Sequence, residues 1–119
     1  MRETRAKEIK MNYVSVAVVS DIPPGQMKTF KAQGKEVLLA NVDGKFHALN
    51  NKCPHAHFPL GKGKLSGCTV TCPMHHAQFN VETGKNLEDA KVLFIKMKVK
   101  DAGCYSVKVE GDNVLVSLD

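Results

Sequence analysis

The sequence predicts an all-β protein, and three observations carry that expectation. From position 93 the sequence sets Leu93, Ile95, Met97 and Val99 on one face and Lys96, Lys98 and Lys100 on the other. That is the period of two of a half-buried strand with a basic outer face. Asp43-Gly44 and Gly111-Asp112 each separate two β-prone runs and mark hairpins, because glycine accepts the positive φ that two-residue turns demand. A break at Ser20-Asp21-Ile22-Pro23-Pro24-Gly25 ends a valine-rich run, since prolines cannot donate to a ladder.

The elements follow in order. Residues 1–11 form a charged N-terminal extension without the apolar stretch of a signal peptide, and no later run approaches the ~20 apolar residues of a membrane span. A cytoplasmic protein is expected. Residues 12–20 alternate only partly, which suits a strand covered on both sides. Strands are expected over 27–32 and 35–42, joined around Gln33-Gly34, and then over 45–49 after Asp43-Gly44. Further on, 66–71 reads as one strand, 78–81 as another, and 86–90 as a polar connection after a Thr83-Gly84 turn. Tyr105, Val107 and Val109 alternate again, and 114–118 closes a terminal hairpin. With 119 residues and 43% hydrophobic content, the chain suits a single domain over 1–119 with one compact core.

One stretch stands apart from this regular pattern. Cys53-Pro54-His55 and Cys72-Pro73-Met74-His75 each offer a thiol and an imidazole, as C-x-H and C-x-x-H, with sixteen residues between His55 and Cys72. Two Cys and two His can hold a tetrahedral zinc ion. Zinc knuckles, however, space paired ligands by two to four residues, and C-x-H fits them poorly. A zinc-stabilised binding module is nevertheless one reading of this set. Gly61, Gly63 and Gly67 lie between the two segments, where missing Cβ atoms would let the backbone fold over a compact inorganic core.

These motifs resemble those of the Rieske iron-sulfur family. The opening Asp21-Ile22-Pro23-Pro24-Gly25, the hairpin Asn41-Val42-Asp43-Gly44-Lys45 and the run from Val107 to Val116 are similar to a soluble, low-potential Rieske-type ferredoxin. The resemblance implies a Rieske-like antiparallel β-sandwich or barrel base, with a cluster-binding subdomain over 50–80 inserted as two loops. It implies a 2Fe-2S cluster with Cys53 and Cys72 on the buried iron and His55 and His75 on the outer one, their far ring edges exposed. It also implies a one-electron carrier between a reductase and an oxygenase or other terminal oxidoreductase, and no catalysis of its own. A subunit fixed to a larger oxidoreductase is the alternative within the same chemistry. The chain is too short to add the mononuclear-iron domain of a Rieske oxygenase.

Departures from the family pattern carry information. Respiratory Rieske proteins tie their loops with a disulfide between positions that here are Phe58 and Met74, so no such bond can form. Where those proteins direct a serine and a tyrosine hydroxyl at the cluster sulfurs and ligand cysteine, this chain has Ala77 and Phe79. Fewer hydrogen bonds leave more negative charge on sulfur, so the expected potential is in the lower half of the family range, roughly −150 mV. His76 replaces the usual glycine after the second ligand histidine, at a cost of about 1 kcal/mol if that position needs positive φ. His57 and His76 read as loop-surface imidazoles, His47 as structural, and Cys68 and Cys104 as small strand or core residues.

The formal net charge is +5, and Lys52, Lys62 and Lys64 flank the presumed cluster loops. A positive docking face would steer an acidic redox partner. There is no aromatic platform on a basic stripe, so nucleic-acid binding is not expected. A monomer without membrane attachment is.

Overall fold

The computed structural model describes residues 13–54, 59–74, 76–92, 95–97 and 99–118, with the backbone alone at 90–92 and 95–97. Strands are β1 (Tyr13–Val18), β2 (Met27–Ala32), β3 (Lys35–Val42), β4 (Lys45–Asn50), β5 (Lys64–Ser66), β6 (Thr69–Thr71), β7 (Gln78–Asn80), β8 (Asn86–Glu88), β9 (Ala90–Val92), β10 (Ile95–Met97), β11 (Cys104–Tyr105), β12 (Val107–Glu110) and β13 (Asn113–Ser117). All pairings among the described residues are antiparallel. They form sheets β1-β13-β12, β11-β4-β3-β2, β5-β6-β7-β8 and β9-β10. The all-β expectation holds, but the barrel does not: the sheets are open and stacked, and none closes on itself.

The stacking follows from β3. Its residues from Val37 to Ala40 are all buried. Val37 and Leu39 point to a core shared with Ala48, Val114, Val116 and Leu118, so one face of the four-stranded base sheet packs on the β1-β13-β12 sheet. Leu38 and Ala40 point the other way, to a core shared with Leu49, Val70, Phe79, Val81, Cys53 and Cys72. The base sheet is therefore the middle layer. Fully burying one such aliphatic side chain contributes roughly 1.5–3 kcal/mol, and β3 does so on both faces.

The strand with both faces covered is thus β3 and not β1, against the sequence expectation. In β1 the partners jump from Ser15↔Leu115 to Ala17↔Val114, leaving Val16 as a bulge residue. Val14, Val16 and Ala17 all reach the core as a result, which is why the alternation looks broken while Val18 stays exposed. Asp43 and Gly44 take φ of 52° and 91°, and Gln33 and Gly34 take 51° and 77°, so both hairpins turn as expected.

Four other expectations need correction. The stretch 66–71 is a hairpin: β5 and β6 pair across Gly67-Cys68, because Gly67 at φ 58° turns the chain after only three strand residues. The polar stretch 86–90 contains β8, whose backbone pairs with β7 while the Asn86 amide donates to the Gln78 and Glu88 carbonyls. The long strand expected from 93 is instead a short hairpin, with Val92 opposite Ile95. Residues 93, 94 and 98 lie outside the described residues, as does the 1–12 segment. Finally, Tyr105 and Val107 belong to different sheets: β11 pairs with β4, β12 with β13, and the Ser106 carbonyl between them accepts the Ser117 N–H at 2.9 Å. Val109 beyond this crossing is exposed.

Candidate metal centre

Two loops are pinched at their bases, and each pinch holds a cysteine. The first loop leaves β4 and returns at Pro59. Lys52 bridges Pro59, the Leu60 N–H donates to the Asn51 carbonyl at 2.6 Å, and Cys53 stands immediately inside that closure. The second loop joins β6 to β7. Here the Cys72 N–H donates to the Ala77 carbonyl at 2.8 Å, and the His76 N–H to the Cys72 carbonyl at 3.0 Å.

Both thiols are 0% exposed and share one apolar core with Leu60, Val70, Ala77, Phe79 and Val81. None of the described cysteines is disulfide-bonded. Thiols converging on an apolar pocket at two loop bases are soft donors held where water is excluded, and that suits an iron-sulfur group. Of the four predicted ligands, the fold thus brings Cys53 and Cys72 into one core. His55 and His75 lie outside the described residues, as do His57 and Phe58. Met74 is exposed at 49%. Among the described residues alone there is no cluster of three or more metal-ligating side chains.

His76 takes φ +64° and is exposed, so the positive φ expected at this position is present and a side chain is borne there at a steric cost. It lines an open groove of about 450 Å³ together with Lys62, Lys64 and Cys72, beside the base of the second loop. Ala77 and Phe79, the positions without hydroxyls, are both fully buried in the thiol-lined core.

Two of the glycines between the loops sit where protein segments approach closely. A Cβ at Gly63 would overlap the Thr71 carbonyl, and one at Gly61 would collide with the Thr29 hydroxyl and crowd Asn51. Gly67 only forms the β5–β6 turn, with open space around it. These residues let protein segments approach one another, and none is described as facing the thiols.

Asn51 was not foreseen as a positioning residue. It is buried, its Oδ1 accepts the Gly61 N–H at 2.8 Å, and its Nδ2 donates to Glu36 at 3.2 Å. One side chain thereby ties both ends of the first loop to β3. The only trace in the sequence is an Asn-Asn pair ahead of the first cysteine.

The remaining candidates fall elsewhere. Cys68 is half-buried against the thiol-lined core, while Cys104 is exposed on the short edge strand β11. His47 on β4 has its Nε2 3.7 Å from the Glu82 carboxylate and without a hydrogen-bond partner. Tyr105 lines the same groove, and burial pushes its hydroxyl pKa up.

An all-β stack carrying two pinched loops, each with a buried thiol, has the frame and the soft donors that suit an iron-sulfur protein. The Rieske [2Fe-2S] domain matches residues 12–94, and the chain belongs to that family. It is 33% identical over 108 residues to the ferredoxin component of the naphthalene 1,2-dioxygenase/salicylate 5-hydroxylase systems of Ralstonia sp, covering 91% of this chain and 97% of that relative. It is also 42% identical over 102 residues to apoptosis-inducing factor 3 of Homo sapiens, covering 86% of this chain but 16% of that much longer protein. Among solved structures, a complex of reduced oxygenase and oxidized ferredoxin in carbazole 1,9a-dioxygenase matches with a TM-score of 0.74 at 26% identity, over 91% of this chain and 94% of the matched one. The chain is accordingly a one-electron carrier with a 2Fe-2S cluster. No helix among the described residues is long and apolar enough to cross a membrane.

Proposed function

We propose that this protein is a cytoplasmic ferredoxin that takes one electron from a reductase and delivers it to an oxygenase. In this reading Cys53 and Cys72 bind one iron and His55 and His75 the other, within a subdomain spanning 50–80 of a single 1–119 domain. The observation that carries it is the pair of pinched loops, which hold two fully buried thiols in one apolar core. Relatives named as ferredoxin components support the role, and the oxygenase–ferredoxin complex supports the acceptor.

When bound, the cluster supplies a reversible one-electron couple, for Rieske centres at roughly −150 to +300 mV. The chain's own residues set where in that window it falls. Leu60, Val70 and Phe79 keep water from the thiols, and Ala77 and Phe79 offer no hydroxyl to the sulfurs. The potential is therefore expected near the low end. Ala77→Ser and Phe79→Tyr should each raise it.

The test is the electron paramagnetic resonance spectrum after dithionite reduction. A rhombic signal with an average g clearly below that of all-cysteine 2Fe-2S ferredoxins supports the Cys/His assignment. A colourless, zinc-containing preparation would overturn it. A second reading, a domain acting as part of a larger protein, is favoured by the 42% identity to a relative of which the match spans 16%. Stable copurification with a larger subunit would select it over a freely diffusing monomer.

A further inference from the structure

We propose that a continuous belt of five lysines, running from the rim of the Cys72 cavity to the β2–β3 turn, seats an acidic protein surface. The inference rests on the electron-carrier reading and specifies its partner. Three adjoining grooves make the belt. Lys62 and Lys64 line the cavity that Cys72 reaches. Lys62 also lines a second groove with Lys31, and Lys31 lines a third with Lys35 and Lys52. Each groove therefore shares a lysine with the next.

All five lysines are exposed, and among the described residues none is ion-paired with a carboxylate. Lys35 donates to the Leu118 carbonyl, which fixes its ammonium without neutralising it. The one carboxylate lining these grooves, Glu36, is half-buried and accepts a hydrogen bond from the Asn51 amide. Unpaired cations repel each other, and, the Lys35 bond to the Leu118 carbonyl included, nothing among the described residues neutralises the five ammonium groups. Opposite, complementary charge on a partner would turn that repulsion into steering and register.

The position of the belt favours a protein over a nucleic acid. Its end is the groove that Cys72, itself buried, borders, so a partner lying along it sits beside the second loop of the proposed redox centre. The two aromatic residues among the lining residues, Phe30 and Tyr105, are both half-buried against the base core and form no exposed stacking platform along the belt. Several carboxylates on one protein face, spaced along the belt, match both features.

The test uses the cluster-loaded protein and a fluorescein-labelled glutamate-rich peptide, read by fluorescence anisotropy at low and high salt. Peptide binding should weaken steeply with added salt, as screening predicts. Lys31→Glu with Lys35→Glu, and separately Lys62→Glu with Lys64→Glu, should each weaken it about fivefold or more, because rim charges set steering and salt dependence. Lys45→Glu with Lys108→Glu changes the net charge equally, but Lys108 is already 3.2 Å from Glu110, and binding should stay within about twofold. Equal losses in all three variants would reduce the effect to net charge and overturn the belt. Tighter binding of duplex DNA of matched charge would overturn the protein partner. Loss of the Rieske spectrum in the unaltered protein is a separate outcome, which would sink the carrier reading itself.

Discussion

The core between the β1-β13-β12 sheet and the base sheet, and the core around the two thiols, bury the same kinds of aliphatic side chain, yet they are framed differently. Apart from the two-residue edge strand β11, the first is framed by strands of four to eight residues, with β2 and β3 paired over six consecutive positions and β3 and β4 over six more. The second is framed on its far side by strands of three residues, held in place by loop closures, one buried asparagine and close glycine contacts. Long ladders are cooperative and self-supporting, whereas three-residue strands depend on what fills the space between them. At the thiol end, that filling includes the cluster.

Removing the cluster should break the comparison most visibly. Cys72→Ser is expected to abolish the visible absorbance. Hydrogen exchange should then show lost protection at Val70, Phe79 and Val81, with protection retained at Leu39 and Val114. Uniform loss in both cores would mean that they unfold as one unit. Next in size are two substitutions at the loop bases. Gly63→Ala forces a Cβ into the Thr71 carbonyl and should cost about 1–3 kcal/mol in chemical denaturation, while Gly103→Ala, with a Cβ in ordinary contact with Asn50, should be far milder. Asn51→Ala leaves the Gly61 N–H without its acceptor and should also cost about 1–3 kcal/mol, read by the same method.

Smaller effects sharpen the contrast. His76→Gly relieves a side chain at φ +64° and should stabilise the protein by about 1 kcal/mol, raising the melting temperature. At the base, Tyr105 has a raised pKa in the fold, so the unfolded chain gives up this proton first as pH rises. Stability should therefore fall through the alkaline range, beginning near the ordinary tyrosine pKa of about 10. Tyr105→Phe should flatten that slope in a pH series of thermal melts.

The same contrast explains what the sequence made legible. Hairpins such as Asp43-Gly44 were readable because their turn chemistry is local, and β2 through β4 emerged with nearly correct ends. The cysteines stood out by their spacing, and the resemblance to the Rieske family supplied the ligand role expected of them. What failed were other short strands: three residues barely display one alternation, so β5 and β6 merged into one expected strand and β8 passed for a loop, although β7 was expected at 78–81. A bulge at Val16 mimicked burial on both sides, and that burial in fact belongs to β3. Asn51 escaped because its role lies in contacts ten and fifteen residues away, to Gly61 and Glu36.

The crossing at Ser106 gives the molecule a mechanical linkage. The Asn50 N–H donates to the Gly103 carbonyl at 2.7 Å and Cys104 pairs with Leu49, so the strand that feeds Cys53 is gripped at its end by the segment that continues into β12. Three residues beyond Cys104 that segment is woven into the opposite sheet. Tension applied to the first loop would pass across the β4–β11 hydrogen bonds and then along the backbone into the far layer of the stack. The C-terminal hairpin acts as the anchor at the end of that line.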